Sequence, residues 1–259
     1  TTFTGLKLEA LAEADVALAG AHMPVEVNGE KRPRWTSFQV KAGDIVAVKP
    51  AVSGLRGYLA VTGGFDVPVV MNSRSTYLGG KIGGFHGRSL AAGDVLHRSP
   101  GSASGKIRTI PDGMIPEIQG QLTLRAVRGP QDDFFDDGMR VFFSSEFKVS
   151  PKADRMGYRL EGNGIPIKDE MPRSIISEPS LPGAVQIPAD GKPIILLVEQ
   201  TVGGYAKIAT VVSADLHLVA QARPGDAIRF QEIDLPAARQ ASADFRRRFE
   251  EIRNFLNQT

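Results

Sequence analysis

Short runs of alternating apolar and polar residues, cut by glycine, set the rhythm of this chain. Ala14-Asp15-Val16-Ala17-Leu18-Ala19 is followed by Pro24-Val25-Glu26-Val27-Asn28-Gly29-Glu30. There Asn28-Gly29 is a strong signal for a two-residue hairpin. Residues 38–40 and 44–48 flank a turn at Ala42-Gly43, and residues 57–61 and 67–70 continue the series. Residues 122–127 restart it, and 227–233 close it. Strands this short and closely spaced predict a mainly β fold, a sandwich or a barrel. Beyond Ile233 the period changes: Phe245, Phe249, Ile252 and Leu256 recur as one face of a helix starting near Pro236. Four large apolar residues would otherwise stay in water, so this helix is expected to lie on the body.

One phrase recurs as Lys41-Ala42-Gly43-Asp44, Ala91-Ala92-Gly93-Asp94 and Arg223-Pro224-Gly225-Asp226. Glycine admits positive φ and aspartate can bond its own backbone, so each phrase reads as a turn feeding a strand. A longer echo pairs Tyr58-Leu59-Ala60-Val61-Thr62-Gly63-Gly64-Phe65 with the run from Ile195 to Gly203-Gly204-Tyr205. It suggests two related β-barrel-like halves, with common turn chemistry as the ordinary alternative. Ser99-Pro100-Gly101-Ser102-Ala103-Ser104-Gly105 and Pro111-Asp112-Gly113 mark a crossing between them. The expected domains are therefore 1–98 and 120–235, with a linker at 99–119 and an amphipathic helix at 236–259.

The 259 residues carry 31 Lys+Arg against 29 Asp+Glu. Residues 236–259 supply the whole excess, with five Arg against Asp244, Glu250 and Glu251. A neutral body gives no field for phosphate backbones, so nucleic acid is not an expected partner. The absence of Cys rules out a disulfide framework, a thiolate nucleophile and Cys-ligated zinc or iron–sulfur centres. The longest aliphatic run, 194–198, is five residues, against the ~20 of a membrane helix. No signal-peptide pattern opens the chain, so a soluble cytoplasmic protein is expected. His22, His86, His97 and His217 are scattered without ligand spacing, and no metal site is expected. The chain has no nucleophile elbow, P-loop, H-E-x-x-H or G-x-G-x-x-G.

Three polar constellations stand out. Asn72-Ser73-Arg74-Ser75-Thr76-Tyr77, followed by Gly79-Gly80 and Gly83-Gly84-Phe85-His86-Gly87-Arg88, offers hydroxyls, guanidinium groups and accessible backbone N–H to an anion. A glycine loop with turn-capping hydroxyls is the plainer account. In Ser150-Pro151-Lys152-Ala153-Asp154-Arg155-Met156-Gly157-Tyr158-Arg159-Leu160, Arg155 and Arg159 are placed to hold a carboxylate or phosphate. A salt-bridged surface turn is the ordinary expectation for a bare Asp-Arg. The third combines Gln186 with Glu199-Gln200-Thr201-Val202-Gly203-Gly204-Tyr205-Ala206-Lys207, in which Lys207 near Glu199 and Tyr205 suggests a charge clamp or proton relay. A strand leaving the core with a solvated polar end would look the same.

The motifs Arg56-Gly57-Tyr58-Leu59-Ala60-Val61-Thr62-Gly63-Gly64, Ser73-Arg74-Ser75-Thr76-Tyr77, Asp154-Arg155-Met156-Gly157-Tyr158-Arg159-Leu160 and 201–210 resemble, in this order, the KipA / allophanate hydrolase subunit 2 family. That family includes the C subunit of bacterial 5-oxoprolinase and is similar to part of the carboxyltransferase region of urea carboxylase. The resemblance implies two cyclophilin-like β-barrel domains with a C-terminal helix. It also implies a KipI-like partner (the B subunit of 5-oxoprolinase), a LamB/YcsF-like partner (its A subunit), and an N-terminal family segment missing ahead of Thr1. Ala153 stands where the family usually has Ser, and Ala206 where it has Pro.

From the resemblance and the residue chemistry, the expected activity is ATP-dependent hydrolysis of a cyclic amide, with ATP and Mg as cofactors. Asp154, Arg155 and Lys207 are the expected catalytic residues. Substrate or phosphate would be bound by Arg74, Ser75, Tyr77, Arg159, Gln186, Thr201, Gly203, Gly204 and Tyr205. A biotin-dependent carboxyltransferase component is the alternative, and a non-catalytic regulator that binds a KipI-type kinase inhibitor is a third.

Overall fold

A computed structural model describes residues 1–200 and 202–258. Thr201, one of the expected binding residues, lies outside the described residues. The chain divides into two compact units, Thr1–Val52 with Gly57–Ile115, and Ser53–Arg56 with Pro116–Thr259.

The first unit holds strands β1 (Leu6–Glu9), β2 (Ala14–His22), β3 (Val25–Val27), β4 (Glu30–Arg32), β5 (Ser37–Val40), β6 (Ile45–Val48) and most of β7 (Ser53–Val61). They form a sheet in the order β1-β6-β3-β4 and another in the order β5-β2-β7. Ala14, Val16 and Leu18 on β2 are buried at a two-residue period, and with Met23, Val25 and Val48 they build this unit's core. The Asn28-Gly29 hairpin forms as its residue types dictate. Both residues have positive φ (53° and 86°), and Val27 pairs with Glu30. Residues 67–70, expected as a strand, form none. Pro68 has no N–H to give, and left-handed Met71 and Asn72 fold Val70 back onto Ser73. Residues 104–110 run along the unit: Ser104 and Gly105 donate to the Asp15 carboxylate, and Arg108 O accepts from Ser37 N at 2.8 Å.

The second unit contains β8 (Gln121–Arg128), α1 (Asp136–Ser144), β9 (Glu146–Val149), β10 (Gly157–Glu161), β11 (Glu178–Pro179), β12 (Ala184–Ile187) and β13 (Ile194–Leu196). β14 (Val202–Gly203), β15 (Ala206–Val211), α2 (Leu216–Gln221), β16 (Ala227–Glu232) and α3 (Leu235–Gln258) follow. Seven strands close a barrel in the order β10-β13-β12-β15-β8-β16-β9. Leu124, Phe142, Phe147, Tyr158, Ile187, Ile195 and Ile208, all almost inaccessible, fill its core. Residues 53–56 join this unit through hydrogen bonds. Leu55 and Arg56 N–H donate to Gln221 Oε1 at 3.0 and 2.9 Å, and Arg56 Nη1 donates to Tyr158 Oη at 2.6 Å.

The three Gly-Asp turns share one construction. Gly43, Gly93 and Gly225 have φ of 90°, 89° and 92°. Each following Asp accepts the backbone N–H three residues back, at 2.7 Å in every case. The longer echo does not carry over. Gly63 and Gly64 are both left-handed, whereas neither Gly203 nor Gly204 enters that region, and Gly203 belongs to a strand. The C-terminal helix forms, but only its first half lies on the body: Ala238 and Ala241 pack with Val212 and Ala214, while Phe249 is 65% exposed. No helix among the described residues is long and apolar enough to cross a membrane.

Candidate functional site

In β12 every residue is buried, although only alternate side chains can face the barrel core. Val185 and Ile187 fill the interior, so Ala184 and Gln186 must be covered on the outer wall. Register extends that outer row across four strands, Arg159 on β10 opposite Ile194 on β13, Ile194 opposite Gln186, and Gln186 opposite Lys207 on β15. Residues directly opposite in antiparallel strands share a face, so Arg159, Gln186 and Lys207 stand in one line. A register shift between Val185 and Gln186 marks a bulge at this point. Bulges often re-aim side chains beside functional sites.

The cover is a two-stranded ribbon. Glu178 pairs with Gly203 and Pro179 with Val202, Gly204 O accepts from Ile175 N at 2.7 Å, and Gln200 Nε2 donates to Ser180 O at 2.9 Å. Gly203 sits over Gln186, and a Cβ there would clash with the Gln186 amide. A side chain at 203 would push that amide aside.

Beneath the ribbon, Lys207 is 4% exposed and its ammonium is ion-paired to Glu178. Gln131 links both: its Oε1 accepts from Lys207 N at 3.0 Å and its Nε2 donates to Glu178 Oε1 at 3.3 Å. Gly129 brings Gln131 in, because its Cα lies so close to the Lys207 carbonyl that no Cβ fits. The Lys207 ammonium bonded to Glu178 holds that carboxyl below the usual carboxylate range, and Gln131 adds to the effect. Gln186 is 4% exposed, and its Nε2 has no hydrogen-bond partner. A buried amide donor left unmade costs about 1–3 kcal/mol. The unpartnered amide donor and the buried cation thus stand opposite each other across two strands, under the ribbon.

Asp154 builds a turn: its Oδ1 accepts the N–H of Met156 at 2.8 Å and of Gly157 at 3.1 Å. That turn presents Arg155, which is ion-paired to Glu199. Arg159 is exposed on β10, and Tyr205, just ahead of β15, is 41% exposed. Gln186, Lys207, Gly203 and Arg159 are thus assembled, with Gly204 holding the ribbon and Arg155 engaged with Glu199. Sequence reasoning missed Glu178 and Gln131, which come from segments with no periodic signal.

Arg74, Ser75 and Tyr77 belong to the first unit. Arg74 Nη1 donates to Val67 O at 2.7 Å, Ser75 N donates to Ser73 Oγ at 3.1 Å, and Tyr77 pairs with Ile82. In the same segment Arg88 grips both oxygens of Asp94 at 2.6 and 2.7 Å. With the Ala91 N–H it brings the Asp94 carboxyl down to about 2. Among the described residues, no three His, Asp or Glu converge as a metal site.

The fold and this cluster define a mainly β protein with a closed barrel and a buried charged and amide site on its outer wall. The chain belongs to the carboxyltransferase domain family, subdomain A and B, whose family model matches residues 1–232. It is similar to the 5-oxoprolinase C subunit of Escherichia coli (strain K12), 37% identical over 97% of this chain and 80% of that protein. It is also similar to the 5-oxoprolinase C subunit of Haemophilus influenzae, 35% identical over 90% and 74%. Among solved structures, the K. lactis urea amidolyase superposes with a TM-score of 0.90 at 29% identity. That match covers 98% of this chain but 16% of the urea amidolyase chain.

Proposed function

We propose that this chain is the C subunit of a 5-oxoprolinase, opening the lactam of 5-oxoproline at the expense of ATP together with a KipI-like protein. The observation that carries this reading is the unpartnered Gln186 amide beside buried Lys207. A lactam carbonyl is the acceptor such a donor lacks, and a nearby cation favours the charge that develops on its oxygen. Relatives named as the C subunit of 5-oxoprolinase match nearly the whole chain and support the choice of substrate.

In the proposed reaction the γ-phosphoryl group of ATP passes to the lactam oxygen, and water attacks the ring carbon. The C–N bond then opens with a proton going to the amine, and a second water releases phosphate from the acyl phosphate. Gln186 Nε2 orients the carbonyl. Lys207, sharing its charge between Glu178 and the ligand, stabilises the transferring phosphoryl group. Arg159, in the same cross-strand row, holds the substrate carboxylate. Asp154 acts as a positioning residue for Arg155.

The test is phosphate release from ATP by the chain co-purified with a KipI-like protein and a LamB/YcsF-like protein. The expected result is stimulation by 5-oxoproline that disappears with Lys207→Met. No stimulation by 5-oxoproline in an intact complex would overturn the reading.

The likeness to urea amidolyase favours a second reading, carboxyl transfer to urea or a related amide. The Gln186 amide and Lys207 suit a ureido carbonyl as well as a lactam one, and biotin would supply the carboxyl group. Biotin-dependent carboxylation of urea with no response to 5-oxoproline would select it.

A further inference from the structure

Helix α3 leaves the body halfway along its length. Ser242 Oγ meets Ser213 Oγ at 3.0 Å and the Phe245 ring lies 5.1 Å from His217, so this face starts on the second unit. It runs on as Phe249, Ile252 and Leu256; Phe245 is 38% and Phe249 65% exposed, while Ile252 and Leu256 are half-buried. The 4-3-4 spacing of Phe245, Phe249, Ile252 and Leu256 is that of a coiled-coil seam, alternately d and a.

The charges sort around that seam by sign. Arg239, Arg246 and Arg253 fall at e and Arg248 at g, the positions that flank a seam and meet a partner helix. The acids Asp244, Glu250 and Glu251 all fall at b or c, away from it. Asp244 and Glu250 are occupied within the helix by Arg247 and Arg253. Among the described residues no carboxylate is paired with Arg246 or Arg248.

We propose that this half of α3 docks an amphipathic helix of another polypeptide, with an aliphatic seam flanked by Asp and Glu. A second copy of this chain is disfavoured, because parallel or antiparallel pairing of two α3 helices would set arginine against arginine at the flanks. A membrane surface fits less well, since Asp244, Glu250 and Glu251 share the polar face with the arginines, where a membrane-lying helix is rich in Lys and Arg.

The experiment uses the full chain and two labelled four-heptad peptides, both with Leu at a and d, one with Glu and the other with Lys at e and g. Fluorescence anisotropy should show binding of the Glu peptide, with the Lys peptide at least about tenfold weaker, since the three arginines Arg246, Arg248 and Arg253 would meet unlike charge in one case and like charge in the other. Added salt should narrow the gap. Arg246→Glu/Arg248→Glu/Arg253→Glu should reverse the preference, and Phe249→Asp should abolish binding, with circular dichroism showing both variants folded. No binding of the Glu peptide, or equal binding of both, would overturn the proposal. So would a dimer in sedimentation that Phe249→Asp dissolves, or binding to phosphatidylserine vesicles that exceeds binding to the peptide.

Discussion

Glu178 and Lys207 define each other's state, and the sign of their coupling can be worked out. The Glu178 carboxyl is held below its ordinary value of 4.5 chiefly because Lys207 donates to it. The pair is therefore complete above that ordinary value and is lost as pH falls through the lowered one. A carbon-13 titration should place Glu178 below 4.5 in the native protein and return it upward in Lys207→Met. A value unchanged by the substitution would mean that Lys207 is not the cause. Gln186 should behave unlike most buried polar residues. Its Nε2 has no bond to lose, so Gln186→Met should change unfolding free energy by no more than about 1 kcal/mol while removing activity. A loss of several kcal/mol in denaturant melts would show that the amide is structural. Gly203→Ala acts on the same residue from above: its methyl group would displace the Gln186 amide, the free end of a flexible side chain, so it should cost activity while changing stability by no more than about 1 kcal/mol.

At the scale of elements, the Gly-Asp turns were legible because their chemistry is local. Gly225→Ala should cost about 1–3 kcal/mol through φ alone, since a Cβ there meets nothing within 4 Å. A thermal melt equal to that of the wild type would contradict a strained turn at φ 92°. The hairpin at Asn28-Gly29 and the start of α3 were readable for the same reason. The Gly-Gly-aromatic echo misled because identical residues served different ends: Gly63-Gly64 make a left-handed turn, while Gly203 is small so that another side chain fits beneath it. Helix α1 gave little signal because Gly138 interrupts it, and that glycine is set by the Pro166 carbonyl packed against it. Periodicity found the apolar face of α3 but not its contact with the body, which Ala238 and Ala241 make while Phe249 stays 65% exposed.

At the scale of the molecule, the mainly β class and the family were readable from strand rhythm and motif order. The site was readable only in part. Lys207, Gln186 and Arg159 were named from residue type, motif and resemblance, but their common row is a product of barrel register. Gln131 and Glu178 join Lys207 from 76 and 29 residues away, and no local pattern announces contacts of that span. The central claim is that this outer-wall cluster is where the carbonyl is held. Its most direct measurement is 5-oxoproline-dependent phosphate release by complexes containing native chain, Gln186→Met or Lys207→Met, each checked for equal assembly and melting temperature. The account predicts a loss of at least about a hundredfold in both variants, as for removal of one carbonyl-binding donor. Variants as active as the native complex would place the chemistry elsewhere.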